Sequence, residues 1–170
     1  MKKKVLKKQN SSKMCFVCGT MNDFGLHADF YETDNNELVA LIMPSDRHQG
    51  YPGRMHGGIA ATILDETIAR SICNGKDEQL WGVTLELTTR FRKPIPLGHE
   101  LKIIGRVTRE GNRTFEGTGE ILLPNGEIAV SAEGKYMKAD INKIDTESRL
   151  SDDEWFLANN PDDPTEIEIP

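Results

Sequence analysis

The sequence predicts an α+β domain in which one long helix is surrounded by a predominantly antiparallel sheet. Two strand-like segments precede a long apolar helix, and four alternating segments follow it. Consecutive strands without helices between them pair in antiparallel fashion. The helix is apolar on almost every side, so we expect a strongly curved sheet to wrap around it.

The first half of the chain carries a local signal for each element. Residues 26–33 and 37–43 read as two strands of a hairpin, joined by the polar turn 34–36. The helix is expected over residues 57–73, where the Asn-Gly pair at 74–75 ends it.

The second half is predicted to contain four strands. In the first of them, alternation places the apolar side chains on one face and the polar ones on the other. The apolar set is Trp81, Val83, Leu85, Leu87 and Phe91, and the polar set is Thr84, Glu86, Thr88 and Arg90. Three further strands are expected around residues 101–107, 115–123 and 128–136, with an Asn-Gly hairpin turn at 125–126.

Length and charge predict one domain with charged tails. The chain has 170 residues and a net charge of −6, from 21 basic and 27 acidic residues. We expect residues 1–13, which hold six lysines and no acid, to form a disordered basic tail. Residues 14–140 form the predicted domain, and 141–170 an acidic extension with a short helix at 151–159.

Composition also bears on location and partners. No apolar run approaches the ~20 residues that span a bilayer, and the lysine-rich start lacks the apolar stretch of a secretory signal. We therefore expect a cytoplasmic protein with no membrane partner. Neither tail indicates nucleic-acid binding as the main function.

The three cysteines, Cys15, Cys18 and Cys73, are expected to be thiols, because an odd number without an export signal argues against a disulfide framework. Cys15 and Cys18 have zinc-knuckle spacing, and His27 is a candidate third ligand. No second CxxC follows, however, and a structural zinc site takes four ligands. The prediction is a turn packed under the next strand, with no metal and no cofactor.

Two adjacent acids on the helix have different predicted roles. Glu66 lies one turn before Arg70, the spacing of an exposed acid-base pair. Asp65 has only apolar or small neighbours three and four residues away. Because an ionised carboxylate in such surroundings is costly unless it is used, Asp65 is a candidate functional residue.

The helix begins with a histidine and two glycines. Gly57 and Gly58 let a ligand approach the backbone, and the first N–H groups of a helix lack intrahelical partners. Those donors suit a developing oxyanion. Two plainer interpretations stay open: the glycines only allow a tight helix start, and His56 only hydrogen-bonds locally.

These residues carry a family resemblance. The stretch HGGIAATILDE, preceded by QGYPGRM and followed by TLELTTRFRKPIPLG, resembles the hotdog-fold acyl-CoA thioesterases with an HGG–x6–D pattern. The resemblance covers about residues 15–138. It implies a helix wrapped by the sheet and a homodimer, or a tetramer built from dimers, with active sites at the subunit interface.

The resemblance also implies roles for single residues. Asp65 would be the general base or nucleophile, and Gly57 would donate an oxyanion N–H. His56 would position the thioester, and Thr84 would assist near the water. Some relatives carry Asn or Gln six residues before the histidine, where this chain has Gly50. The expected substrate-binding residues are Gln49, one position out, with Gly58, Arg90, Arg92 and Lys93.

The expected function is hydrolysis of an acyl-CoA thioester, a small-molecule substrate. Hydrolysis needs a base, an oriented water and an oxyanion donor, but no metal. Arg90, Arg92 and Lys93 could meet the phosphates of coenzyme A, although a solvated charged edge explains them as well. The alternatives are a non-catalytic acyl-CoA-binding regulator and an enoyl thioester hydratase, which would arrange a histidine and an acid around a different motif.

Overall fold

The computed structural model describes residues 1–76, 80–140 and 154–170, which form one long helix and ten strands. The helix α1 (Gly57–Arg70) continues into a 3-10 turn at Ser71–Cys73. In chain order the strands are β1 (Lys2–Lys8), β2 (Ser11–Ser12), β3 (Asp29–Thr33), β4 (Leu38–Ile42), β5 (Leu80–Phe91), β6 (Leu101–Glu110), β7 (Thr114–Leu122), β8 (Ile128–Asp140), β9 (Trp155–Phe156) and β10 (Glu166–Glu168). No helix within the described residues is both long and apolar enough to cross a membrane.

Eight strands form one antiparallel sheet around the helix, in the order β10-β1-β3-β4-β6-β7-β8-β5. The helix contributes Ile63, Leu64 and Ile68 to the core, and each is fully buried. Glycines in the sheet allow close packing, since a Cβ at Gly105 would lie 2.7 Å from the carbonyl oxygen of Thr67. The predicted α+β architecture is confirmed.

The predicted hairpins are also present. β3 pairs with β4, and β7 pairs with β8 through a turn in which Gly126 has a φ of +83°. The helical region ends at Gly75, whose φ is +66°. Positive φ at these glycines is the conformation that an Asn-Gly signal indicates.

Strand β5 departs from the predicted alternation. Its pairing with β8 shifts between Thr84 and Glu86, so Leu85 sits in a bulge. Before the bulge, Gly82 and Thr84 point toward the helix, whereas after it Leu87 packs on the core. The apolar face predicted for this strand is therefore wrong, because an inserted residue reverses the faces that follow it.

The N-terminal lysines do not form a disordered tail. Lys2–Lys8 is strand β1, paired with β3 on one side and β10 on the other. Lys8 is almost fully buried and contacts Asp163 at 2.7 Å and Asp29 at 2.9 Å. The carboxylates that neutralise these lysines lie far away in sequence, which is why the charge run misled the prediction.

The helix predicted at 151–159 is also wrong for the described residues 154–159. Residues 151–153 lie outside the described residues, and Trp155–Phe156 forms strand β9, paired with β2. The Trp155 ring meets the Trp81 ring edge-on at 5.4 Å. The last residues, in β10, extend the main sheet.

Candidate active site

The carboxylate of Asp65 is the centre of the candidate site. It is half-buried on α1 and is held by two hydroxyl donors. The Thr84 Oγ1 lies 2.9 Å from Oδ1 and 3.1 Å from Oδ2, and the Tyr136 hydroxyl donates to Oδ1 at 3.1 Å. Because both donors reach Oδ1, Oδ2 is the oxygen better placed to act on a water or an acyl carbon.

The pairing of two strands positions both donors. Thr84 of β5 lies directly opposite Tyr136 of β8, just before the bulge in β5. The Tyr136 ring is fully buried and stacks on Phe115 with a centroid distance of 5.0 Å. A Cβ at Gly134 would lie 2.4 Å from the Tyr136 hydroxyl oxygen, so this glycine makes room for the donor.

The surroundings of Asp65 disfavour its charge. Burial raises the pKa of this carboxyl and the charge of Glu66 adds to the effect, while the hydrogen bonds from Thr84 and Tyr136 oppose it. Burial, and then the charge of Asp65, raise the pKa of Tyr136, so its hydroxyl keeps its proton. The result is a carboxylate of increased basicity, which hydroxyl groups hold in place with no cation beside it in the described part of the chain.

Glu66 turns away from this centre. Its Oε1 accepts from Arg70 Nε at 2.8 Å, which confirms the predicted pair. The pair is not on an exposed surface, however, because the two side chains are only 23% and 11% exposed. The expectation of a surface ion pair is wrong because Arg70 is covered by the rings of Phe30 and Trp155.

The start of the helix presents a second set of polar groups. His56 is the N-cap, and its Nδ1 accepts from the Gly58 N–H at 2.9 Å. A neutral ring bonded in this way carries its proton on Nε2, where it can donate to a ligand. Among the described residues no acceptor is present for the Gly57 N–H, and the Phe91 ring lies beside that glycine.

The Gln49 side chain, which the sequence suggested as a substrate ligand, is bonded to its own loop and does not face a ligand. Its Oε1 accepts from the Gly53 N–H at 2.8 Å, so the amide helps to fold the loop. Gly50 packs against His56, since a Cβ there would lie 3.1 Å from the histidine Cα. Gly50 therefore allows the loop to support the N-cap histidine.

The three basic residues predicted to bind substrate lie at the end of β5. Arg92 donates to the Ser131 Oγ at 2.6 Å, Lys93 pairs with Glu127, and Arg90 is exposed. They flank Phe91, so this strand end lies beside the helix N-terminus. The three cations and the free N–H of Gly57 thus border one region of the surface.

The predicted catalytic residues form two groups within one chain. Asp65 follows Gly57 by eight residues, which is about 12 Å along a helix at about 1.5 Å per residue. A water that attacks a carbonyl carbon needs the base and the oxyanion donor much closer together. The acid group (Asp65, Thr84 and Tyr136) and the donor group (His56 and Gly57) therefore do not act on the same thioester within one chain.

Tyr136 is the site residue that sequence reasoning missed. The sequence predicts a strand over residues 128–136 and indicates no function for the tyrosine at its end. A usable signal was present, because a tyrosine in an apolar strand needs a partner for its hydroxyl when buried. The unpaired acid on the facing helix was a candidate for that partner.

Comparison with known proteins agrees with this fold. The Thioesterase superfamily model matches residues 52–130. Acyl-coenzyme A thioesterase THEM4 of Xenopus laevis is 33% identical over 90 residues, 51% of this chain and 38% of that protein. THEM4 of Bos taurus is 28% identical over 138 residues, 80% of this chain and 56% of that protein.

Among solved structures, the thioesterase superfamily protein RHA08564 has a TM-score of 0.66 and 27% identity, over 72% of this chain and 59% of that one. The chain thus spans only 38% to 59% of the length of these relatives. Residues 52–130 thus match the thioesterase superfamily, and the fold around them is the hotdog fold of that superfamily.

Proposed function

We propose that this protein hydrolyses acyl-CoA thioesters and that Asp65 is the catalytic carboxylate. The observation that carries the proposal is the Asp65 carboxylate itself, which two hydroxyl donors orient and which no cation of the described residues neutralises. It takes a proton from water as the water attacks the acyl carbon, or it attacks that carbon directly to give a mixed anhydride, which water hydrolyses after coenzyme A has left. Coenzyme A then leaves as a thiolate, which needs little assistance. The curated relatives named acyl-coenzyme A thioesterase support this substrate class.

The donor group at the helix start supplies the complementary part of the reaction. The Gly57 N–H, at the positive end of the helix dipole, stabilises the negative charge that develops on the carbonyl oxygen. The Nε2–H of His56 adds a second donor, which its bond to the Gly58 N–H helps to orient. These are the roles that the family resemblance implies for both residues.

The separation of the two groups leads to a shared site. We propose a dimer in which Asp65 of one subunit faces Gly57 of the other. Strand β5 supports this arrangement, because it ends the main sheet and has exposed apolar side chains at Val83, Leu85 and Phe91. An exposed apolar edge strand of this kind is suited to cover by a second subunit.

The basic strand end fits the other part of the substrate. The donor group is flanked by three cations, Arg90, Arg92 and Lys93. When the thioester carbonyl binds the Gly57 N–H, the phosphates of the same coenzyme A molecule would reach these cations. Lys93 is already paired with the carboxylate of Glu127. Arg90 and Arg92 are therefore the stronger candidates for binding phosphate.

The test is a panel of acyl-CoA thioesters, from acetyl to palmitoyl and aromatic, with release of free thiol as the measurement. We expect turnover of at least one member, greatly reduced in Asp65→Asn. If several members bind and none is turned over, the protein is a non-catalytic acyl-CoA-binding regulator. Turnover that Asp65→Asn retains in full would remove Asp65 from the mechanism.

A further inference from the structure

A second polar cluster lies where the chain before β3 meets the helix. Its members are Cys15, Cys18 and Glu66, which the proposed hydrolysis does not use. The two Sγ atoms and a carboxylate oxygen all lie within 4.8 Å of one another. Glu66 Oε2 is 3.5 Å from the Cys15 Sγ. The third member is thus Glu66 and not His27, the residue that sequence spacing suggested.

The turn that carries the cysteines directs both sulfurs toward the helix. The Gly19 N–H donates to the Cys15 carbonyl at 2.8 Å, and the Val17 N–H donates to the Cys15 Sγ at 3.3 Å. A Cβ at Gly19 would lie 2.3 Å from that carbonyl oxygen, so the turn requires glycine. A backbone N–H aimed at sulfur is a donor that a metal-bound thiolate can accept.

Arg70 orients the other two members of the cluster. Its Nε donates to Glu66 Oε1 at 2.8 Å, and its Nη2 donates to the Cys18 Sγ at 3.1 Å. Glu66 therefore keeps Oε2 directed toward Cys15. Each of the three groups has an outer hydrogen-bond donor, the arrangement that orients the ligands of metal sites.

We propose that Cys15, Cys18 and Glu66 bind a zinc ion, with water in the fourth position. Zinc–sulfur bonds of about 2.3 Å and a zinc–oxygen bond of about 2.0 Å place tetrahedral ligand atoms about 3.5 to 3.8 Å apart. These separations fit a cluster whose ligand atoms all lie within 4.8 Å of one another. Two thiolates and a carboxylate carry three negative charges, which Zn²⁺ and the buried Arg70 balance. Paired thiolates favour zinc over magnesium or calcium.

The ion would fasten the cysteine turn to α1 beside the proposed catalytic acid. Glu66 immediately follows Asp65, so a metal bond to Glu66 restrains the helix turn that carries the catalytic carboxylate. The proposed role of the zinc ion is structural, because it affects hydrolysis only by holding that helix turn in place.

The first experiment measures zinc in the full chain, purified without chelators and without a metal-affinity column. We expect about one zinc per chain in the wild-type protein, and loss of most of it in Cys18→Ser and in Glu66→Gln. Cys73→Ser is the matched control and should keep its zinc. Cys73 donates from Sγ to the Leu80 carbonyl at 2.8 Å, a bond that a serine hydroxyl can replace.

A second measurement does not depend on the variants folding. Cobalt(II) added to the metal-depleted wild-type protein should give the thiolate-to-cobalt charge-transfer bands of a tetrahedral site, and zinc should abolish them. Restoring zinc should also raise the melting temperature. The proposal fails if the zinc-incubated protein stays metal-free with both thiols reactive, or if protein isolated under reducing conditions contains a Cys15–Cys18 disulfide.

Discussion

Replacing Asp65 with asparagine removes the charge and the basicity of the proposed catalytic group while keeping its size. The amide oxygen can still accept hydrogen bonds from Thr84 and Tyr136, which lie 2.9 and 3.1 Å from Oδ1 in the native site. The change therefore tests chemistry with little disturbance of packing. We expect the turnover number to fall about 100-fold to 10,000-fold, the usual effect of losing a positioned base.

Stability should respond differently. A hydrogen bond to a charged group contributes about 1.5 to 3 kcal/mol and one to a neutral group about 0.5 to 1.5, so weakening two bonds has a real cost. The raised pKa of Asp65 shows that burial outweighs these bonds. A raised folded-state pKa favours folding at low pH and loses that contribution as pH rises through it. At neutral pH the variant should therefore equal or exceed the wild type in stability.

The assay is steady-state release of free thiol as a function of pH, together with thermal unfolding. Wild-type turnover should decline on the acid side as Asp65 gains a proton, and this decline should be absent from the residual activity of the variant. Asp23→Asn, at an exposed position, is the matched control and should leave both measurements unchanged. Full activity in Asp65→Asn, or a large loss of stability at neutral pH, would refute the reasoning.

Further predictions concern the oxyanion donor, the acid's orientation and the buried lysine. Gly57→Pro removes the N–H at a helix position that tolerates proline and should lower turnover about 100-fold to 1,000-fold, whereas Gly57→Ala, which keeps the N–H, should lose far less; equal losses would exclude the donor role. Thr84→Val should lower turnover about 10-fold to 100-fold, because Asp65 loses one hydrogen bond to its carboxylate, and Thr88→Val on the same strand should leave turnover unchanged. Unchanged turnover in both variants would show that Thr84 does not orient Asp65. Lys8→Met should cost about 1.5 to 3 kcal/mol, or roughly 3 to 12 °C in melting temperature, while exposed Lys4→Met should have little effect; equal melting temperatures would show that β1 contributes nothing.

The sequence supported the main architecture because its signals were local. Alternating apolar residues, two Asn-Gly turns and one helix apolar on almost every side were enough to predict an antiparallel sheet around a helix. The HGG and the acid seven residues after its second glycine could be placed on that helix for the same reason. The isolation of Asp65 from cations on its own helix was correctly predicted, since it depends only on helix periodicity.

The errors came from partners that are distant in sequence. The lysines of β1 are ordered by carboxylates such as Asp163, more than 150 residues away. The bulge at Leu85 reverses the faces of β5, and strand alternation alone cannot show an inserted residue. Tyr136 reaches Asp65 only because β5 and β8 pair in one register, which the sequence does not specify.

Mixing two inactive variants tests the shared thioesterase site most directly. In the proposed dimer, a subunit carrying Gly57→Pro and a subunit carrying Asp65→Asn combine to give one doubly altered site and one intact site. Since random pairing makes half of the dimers mixed, co-expression in equal amounts should restore about a quarter of the wild-type acyl-CoA hydrolysis. Activity that stays at the level of the separate variants, with mixed dimers demonstrated by mass, would show that the two groups do not act together across the interface.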